Sequence, residues 1–411
     1  MKKNAFVLLS LLALGACMVS CSEDGSDIPD NIDNPCLRIE LTDNEQSIMV
    51  SNASFSFKLF KSANDNFKNN EQFVISPLSA SMSLSMLLNG TANETLASSL
   101  NELGLQGYTL DELNGINAKL MDSLNTLDKK TTIEFANSMW LNEGLDALPS
   151  FTSAVKENYM AAVVNKDFLD NATLDAINRW CSNATKGNIN NLLETMPTPP
   201  ILLVNALYFK GLWPEPLKNE KEGSFTTVTG EEQTVEYMST TVKYGLLNNG
   251  KCKGTRLSYG NGAFGFYIIL PDEGVSVDEC INDLADEYWL DKIENNSPAE
   301  VAVKMPKFEV SSKNSLLPSL KSAGLNSCFA PDADYSNLFS STAYSVSEVL
   351  QATTIKVDEK GTQAASATVV GGDTSPGPLP TYELVVDRPF IFFINESSTG
   401  AILFVGKVGK I

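Results

Sequence analysis

The sequence predicts an α+β fold built as a single unit, and three observations carry that expectation. Apolar residues at helical spacing dominate the first half of the chain, from about Ala53. Short runs rich in Val, Ile, Phe and Tyr, bounded by Gly, Pro, Asn or Asp, dominate the second half. Across 411 residues neither an internal repeat nor a long linker separates the two, so helices packed over large sheets are expected rather than two domains.

In chain order, the helical elements are a stretch from about Ala53, then Ala80 to Leu88 after Ser76-Pro77, where proline suits a first turn. Leu113 to Leu124, Phe151 to Tyr159 and Leu174 to Asn183 follow, with a strand over Thr132 to Leu141 among them. Later strands are Leu202 to Phe209, Thr241 to Leu247, Thr255 to Ser258 and Phe264 to Leu270, then Val301 to Val310, Ala343 to Val357, Tyr382 to Asn395 and Ala401 to Val408. Phe264 to Leu270 and Phe390 to Ile394 are continuously apolar, as sheet centres covered on both faces require.

Composition removes several functions. With 30 Lys plus Arg against 50 Asp plus Glu, the net charge of −20 opposes binding to nucleic acid. The chain has no His, so Ser-His-Asp and Cys-His nucleophilic systems and His-ligated zinc are excluded. The GNGAFG segment at 260–265 reads as a turn before a strand and lacks a phosphate-loop layout. No enzymatic role, cofactor or metal is expected.

Residues 1–21 carry two lysines, an apolar run from Ala5 to Ala16 and small residues before a cysteine, the layout of a cleaved secretory signal. It resembles the bacterial lipoprotein form, in which the cysteine becomes the lipidated first residue. Cys17 follows the better small-residue pattern, whereas Cys21 precedes SEDGSD, a polar acidic start resembling surface-lipoprotein export signals; Cys21 is preferred. Residues 22–38 read as a disordered tether and 39–411 as the body, giving a lipid-anchored monomer at the outer membrane, facing the periplasm or the cell surface. Cys36, Cys181, Cys252, Cys280 and Cys328 have no short metal-binding spacing; export permits disulfides without demanding one.

One loop departs from ordinary architecture. Residues 359–381, EKGTQAASATVVGGDTSPGPLPT, are long for a connection in a compact domain. Gly361 to Val370 contains small and β-branched residues, with no proline and no charge, so it can become a strand with Thr362, Ala364, Ser366, Thr368 and Val370 on one face. Gly371 to Pro380, with three prolines, resists any ladder.

These residues resemble the serpin family over residues 50 to 411. Glu359 to Thr368 is similar to the family's reactive-loop hinge, and Leu384 to Ile394, LVVDRPFIFFI, to its signature after the loop. Asn205 to Trp213 resembles the breach segment of the central sheet, and Phe73 to Ser79 the shutter segment beneath it. Ile177 to Trp180, Ala136 to Trp140, Met305 to Phe308 and Phe404 to Val408 fall in family order.

The resemblance implies a serpin-like fold of eight or nine helices on three β-sheets with an exposed reactive-centre loop. It implies a suicide-substrate inhibitor of serine endopeptidases, with papain-like cysteine endopeptidases as further targets; the alternative is a non-inhibitory binding or scaffold protein. The hinge would be Glu359, Gly361, Thr362, Ala364, Ser366 and Thr368; shutter and breach would use Ser76, Asn205, Gln351 and Trp213. Gln351 stands where many members carry histidine, so a network there must use an amide that cannot titrate. Counting from Thr362 places the scissile residue at Ser375, before Pro376, and counting back from Pro389 places it near Pro378. Proline after the bond favours cleavage at Thr374-Ser375, and a small uncharged residue there suits elastase-like, subtilisin-like or papain-like proteases. Thr362 is expected near the surface before cleavage and under the sheet after it.

Overall fold

The computed structural model describes residues 33–67, 70–197, 200–284, 297–340, 346, 348–362 and 379–411. Cys17, Cys21, Ala364, Ser366, Thr368, Thr374, Ser375 and Pro376 lie outside the described residues.

Among the described residues eight α-helices form: α1 (Asp43–Asn66), α2 (Pro77–Leu88), α3 (Asn93–Glu102), α4 (Leu110–Ser123), α5 (Pro149–Tyr159), α6 (Asn171–Ala184), α7 (Val277–Leu284) and α8 (Leu317–Ser322). Capping boxes start α1, through Thr42 and Glu45, and α4, through Thr109 and Glu112, each satisfying backbone donors that a helix start leaves free. Every side chain of α2 is buried; Ser76 caps it by accepting from the Ser79 N–H, and Pro77 begins it. None of these helices is long and apolar enough to cross a membrane.

The central sheet has the order β13 (Phe308–Ser315), β14 (Glu348–Asp358), β15 (Gly361–Thr362), β4 (Ile201–Leu212), β2 (Thr131–Asn142), β3 (Ala162–Lys166). A second six-stranded sheet runs β1 (Phe73–Ile75), β18 (Ile402–Val408), β17 (Phe390–Glu396), β11 (Phe264–Pro271), β10 (Cys252–Tyr259), β9 (Leu247–Asn248). The third runs β16 (Thr381–Val385), β12 (Glu300–Pro306), β8 (Tyr237–Val242), β5 (Lys218–Asn219), and β6 (Gly223–Thr226) pairs with β7 (Glu232–Val235) as a ribbon. Alternation along β4 divides the core: Leu203, Leu207 and Phe209 face the main core, while Leu202 and Val204 face a smaller one under α6 with Trp140, Ile177 and Cys181.

Two strands read as continuous are broken by proline. Val301 to Val310 splits after Pro306 into β12 and β13, which belong to different sheets, and Tyr382 to Asn395 splits around Pro389 into β16 and β17. Cys252 and Cys280 are joined, tying β10 to α7, while Cys181 and Cys328 are buried free thiols. Burial pushes the Cys181 thiol up to about 11 and that of Cys328 up to about 12, so both stay protonated.

The segment before α1 is held against the body. Asn34 Nδ2 donates to Asp128 Oδ1 (2.7 Å), the Lys129 N–H donates to Asn34 Oδ1 (3.0 Å), and Asn261 Nδ2 donates to the carbonyls of Pro35 (2.8 Å) and Leu127 (2.7 Å). The last residues of the expected tether, from Asp33, therefore cross the turn between β10 and β11.

Candidate functional site

Three of the residues picked from the sequence meet where β4 and β14 are joined directly. The two strands pair in parallel over Leu202–Ala206 and Glu348–Ala352, which sets Gln351 beside Asn205. Gln351 Nε2 donates to the Ser76 carbonyl (2.9 Å) and to Asn205 Oδ1 (3.0 Å), and its Oε1 accepts from the Ser76 N–H (2.7 Å). Ser79 Oγ adds a bond to Asn205 Oδ1 (3.0 Å). Both Gln351 amide hydrogens and its oxygen are thus used in a buried setting, where an unmade bond costs most. The register extends the row: Asn137 of β2 faces Asn205, and Asn314 of β13 faces Gln351. Sequence reading missed Asn137 and Asn314, because only strand register reveals them as neighbours.

Trp213 lies at the far end of β4, about 25 Å from Asn205 at a strand's rise per residue. There β14 turns back on itself. The Lys360 N–H bonds Asp358 Oδ1 (2.9 Å), and β15 enters between β14 and β4, pairing Thr362 with Val357 on one side and Gly211 on the other. Gly361 makes the turn at φ +138°, where a Cβ would lie 2.2 Å from the Gly211 carbonyl oxygen. Trp213 braces the same turn: Nε1 donates to the Asp358 carbonyl (3.0 Å) and its N–H to that of Lys360 (3.1 Å).

Glu359 is clamped from the side by Lys307 (2.9 Å), which also reaches Glu236 (3.0 Å). The Lys307 ammonium holds the Glu359 carboxyl below the usual carboxylate range, and that bond in turn raises Lys307 above the usual lysine value.

Thr362 corrects the sequence expectation. It is 1% exposed before any cleavage, because the tight turn at Asp358–Gly361 delivers it straight into the sheet. Its Oγ1 lies 2.6 Å from the hydroxyl of Tyr259, a residue sequence reading did not single out. Tyr259 stacks on Trp213, with ring centroids 4.5 Å apart and planes 4° from parallel, and meets Phe209 edge-on. Gly211 leaves room for that stack, since a Cβ there would come within 2.9 Å of both the Phe209 and Tyr259 rings. Among the described residues no group of His, Cys, Asp or Glu is arranged to hold a metal ion.

Comparison with known proteins gives the same architecture. A family model described as Serpin (serine protease inhibitor) matches residues 50–411. The native crystal structure of tengpin, a thermophilic serpin, is 31% identical, covers 92% of this chain and 97% of its own, and has a TM-score of 0.80. Leukocyte elastase inhibitor A of Mus musculus is 30% identical over 88% of this chain and 99% of its own length. Human thyroxine-binding globulin, solved as a complex with thyroxine, is 25% identical over 89% of this chain and 99% of its own, with a TM-score of 0.78.

Proposed function

This chain belongs to the serpin family, and we propose that it is a suicide-substrate inhibitor of serine endopeptidases that accept a small uncharged residue at the scissile position. Membership makes it a non-catalytic inhibitor or binding protein rather than an enzyme. The protease serine attacks a loop carbonyl at Thr374-Ser375 or close by, the C–N bond breaks, and the new amine leaves with the C-terminal segment. The loop stays esterified to the enzyme. Freed at one end, Gln363 to Val370 adds a strand between β4 and β14 before water can reach the ester, and the protease is carried along the sheet.

The observation that supports this reading most is the start of the loop, Gly361–Thr362, standing between β4 and β14. Below it, β4 over Leu207–Lys210 and β14 over Thr353–Lys356 are not paired to each other among the described residues. On the face that continues from Thr362 stand Ala364, Ser366, Thr368 and Val370, all uncharged and none larger than valine, so no bulky or charged side chain obstructs entry. At about 0.5–1.5 kcal/mol per hydrogen bond, about eight further residues add about 4–12 kcal/mol, the scale of a whole domain's stability.

The test is paired. Melting is measured before and after the loop is cut, and SDS-resistant adducts are sought with elastase-like and subtilisin-like proteases. The cut protein melts far higher than the intact one, and the released C-terminal peptide begins within residues 371–379. Equal melting and no adduct across the panel would leave a binding protein on the same scaffold.

The layout of residues 1–21 supports a location outside the cytoplasm with an anchor through Cys21, the target then being a protease arriving at the cell surface. Metabolic labelling with a palmitate analogue checks this. Label lost only on replacing Cys17 would move the anchor, and no label in the wild type would mean free secretion.

A further inference from the structure

We propose that Tyr259 is a positioning residue for loop insertion: its hydroxyl latches Thr362 in the uncut protein, so that the strand grows from a start already made. The proposal rests on the inhibitory reading above.

Tyr259 is completely buried. Burial pushes its phenol far above the usual range, so the hydroxyl stays neutral and needs a hydrogen-bond partner away from water. Thr362 Oγ1 at 2.6 Å is that partner. The ring cannot turn elsewhere to find another, being stacked on Trp213 and met at its edges by Phe209 and Phe266. If Gly361–Thr362 swings out of the sheet, both hydroxyls lose the bond, and the one on Tyr259 is left among aromatic rings without its protein partner. The latch therefore sets the fraction of molecules whose hinge is seated.

That fraction matters because trapping is a race. After acylation, insertion competes with hydrolysis of the ester, and a molecule with its hinge out must first bring two residues back between β4 and β14. It is then released as spent substrate more often. Attack on the loop precedes this step and does not need the latch.

The experiment uses full-length protein and whichever protease gives an adduct with the wild type. Loop cleavages per trapped adduct and the rate of the first cleavage are measured for Tyr259→Phe, Thr362→Val, the double variant and Thr362→Ser. The single variants raise cleavages per adduct about two- to tenfold, the equilibrium effect of one buried hydrogen bond, while first cleavage is no slower. Thr362→Ser, which keeps the hydroxyl, traps as the wild type does, and the double variant is no worse than either single one. Unchanged partition in Tyr259→Phe and Thr362→Val, additive losses in the double variant, or slowed first cleavage would each overturn the latch. A wild type that neither traps nor gains stability on cleavage defeats the inhibitory reading instead, and the latch falls with it.

Discussion

The two ends of the slot between β4 and β14 are closed by different chemistry. At the Asn205 end the strands are joined to each other, and a saturated amide, Gln351, bolts them to the start of α2 through Ser76. At the Trp213 end they stand one strand apart, held open by two residues of the loop resting on an aromatic stack. The sheet is thus wedged at one end and bolted at the other. A strand entering from the wedge meets no backbone ladder until it reaches Ala206 and Ala352, where it must break one. Three buried bonds through Gln351 make the bolt costly to open, while the wedge depends on shape and two hydroxyls.

The largest break in this contrast comes from charge at the wedge. Thr362→Arg places a guanidinium against the Tyr259 and Trp213 rings, and burying it unpaired costs about several kcal/mol, so the hinge leaves the sheet in the intact protein as well. No SDS-resistant adduct then forms while loop cleavage continues; persistence of adduct would mean that the slot tolerates charge. Because Thr362 is already buried, the change is felt before cleavage, contrary to the expectation from sequence that this side chain lies near the surface until the loop is cut.

Gln351→Leu attacks the bolt. It strands the Ser76 N–H and carbonyl and one bond to Asn205 inside the core, each worth about 1–3 kcal/mol when left unmade, so the intact protein loses about 2–4 kcal/mol after partial relaxation. Calorimetry of intact and loop-cleaved protein separates the two states. The loss is concentrated in the intact form, where these bonds join β4 to β14; equal losses in both would make Gln351 an ordinary core residue.

The smallest effect is the pH response of the clamp. The Glu359 pKa is depressed, so the stabilisation it gives is present above the usual carboxylate pKa and fades as pH falls through the lowered value, below about pH 4. The Lys307 pKa is raised, so its share is present below the usual lysine value and is lost only above about pH 10. For a partly exposed pair the sum is about 1 kcal/mol or less. Melting curves of wild type and Glu359→Gln should differ slightly between these limits and converge below pH 4. The bolt is unaffected, since an amide does not titrate. A steep transition near pH 6 would contradict both parts.

Segments with a strong period were legible in the sequence, and depth was not. Ser76-Pro77 marks the start of α2 because a capping hydroxyl and a proline suit only a first turn, and Phe264 to Leu270 reads as a central strand because nothing in it tolerates water. β3 was missed: it is a five-residue edge strand with half-exposed and exposed side chains, so no alternation survives to mark it. Tyr259 stands at the end of a strand, where no local pattern tells a stacked, hydrogen-bonded tyrosine from one facing solvent. The amide row shares that cause, since Asn137, Asn205, Asn314 and Gln351 are far apart in the chain and meet only through register. Thr362 was placed too shallow because the alternation of Gly361 to Val370 gives its face and not how far the slot has already admitted it.

The moorings of Asn34 and Pro35 fix more than the start of α1. Asp128 and Asn261, which receive them, flank Leu212, whose carbonyl takes the Gly260 N–H and which pairs with Gly361. Asn34, near the start of the described residues, and Gly361, which leads towards the proposed bait, therefore lie at the same pole of the body. Twelve residues lie between Cys21 and Asn34, a reach of at most about 45 Å over the thirteen steps. With the proposed anchor at Cys21, prey would be met near the lipid surface and, once caught, carried away from it by the length of the central sheet, so capture would also be removal from the membrane.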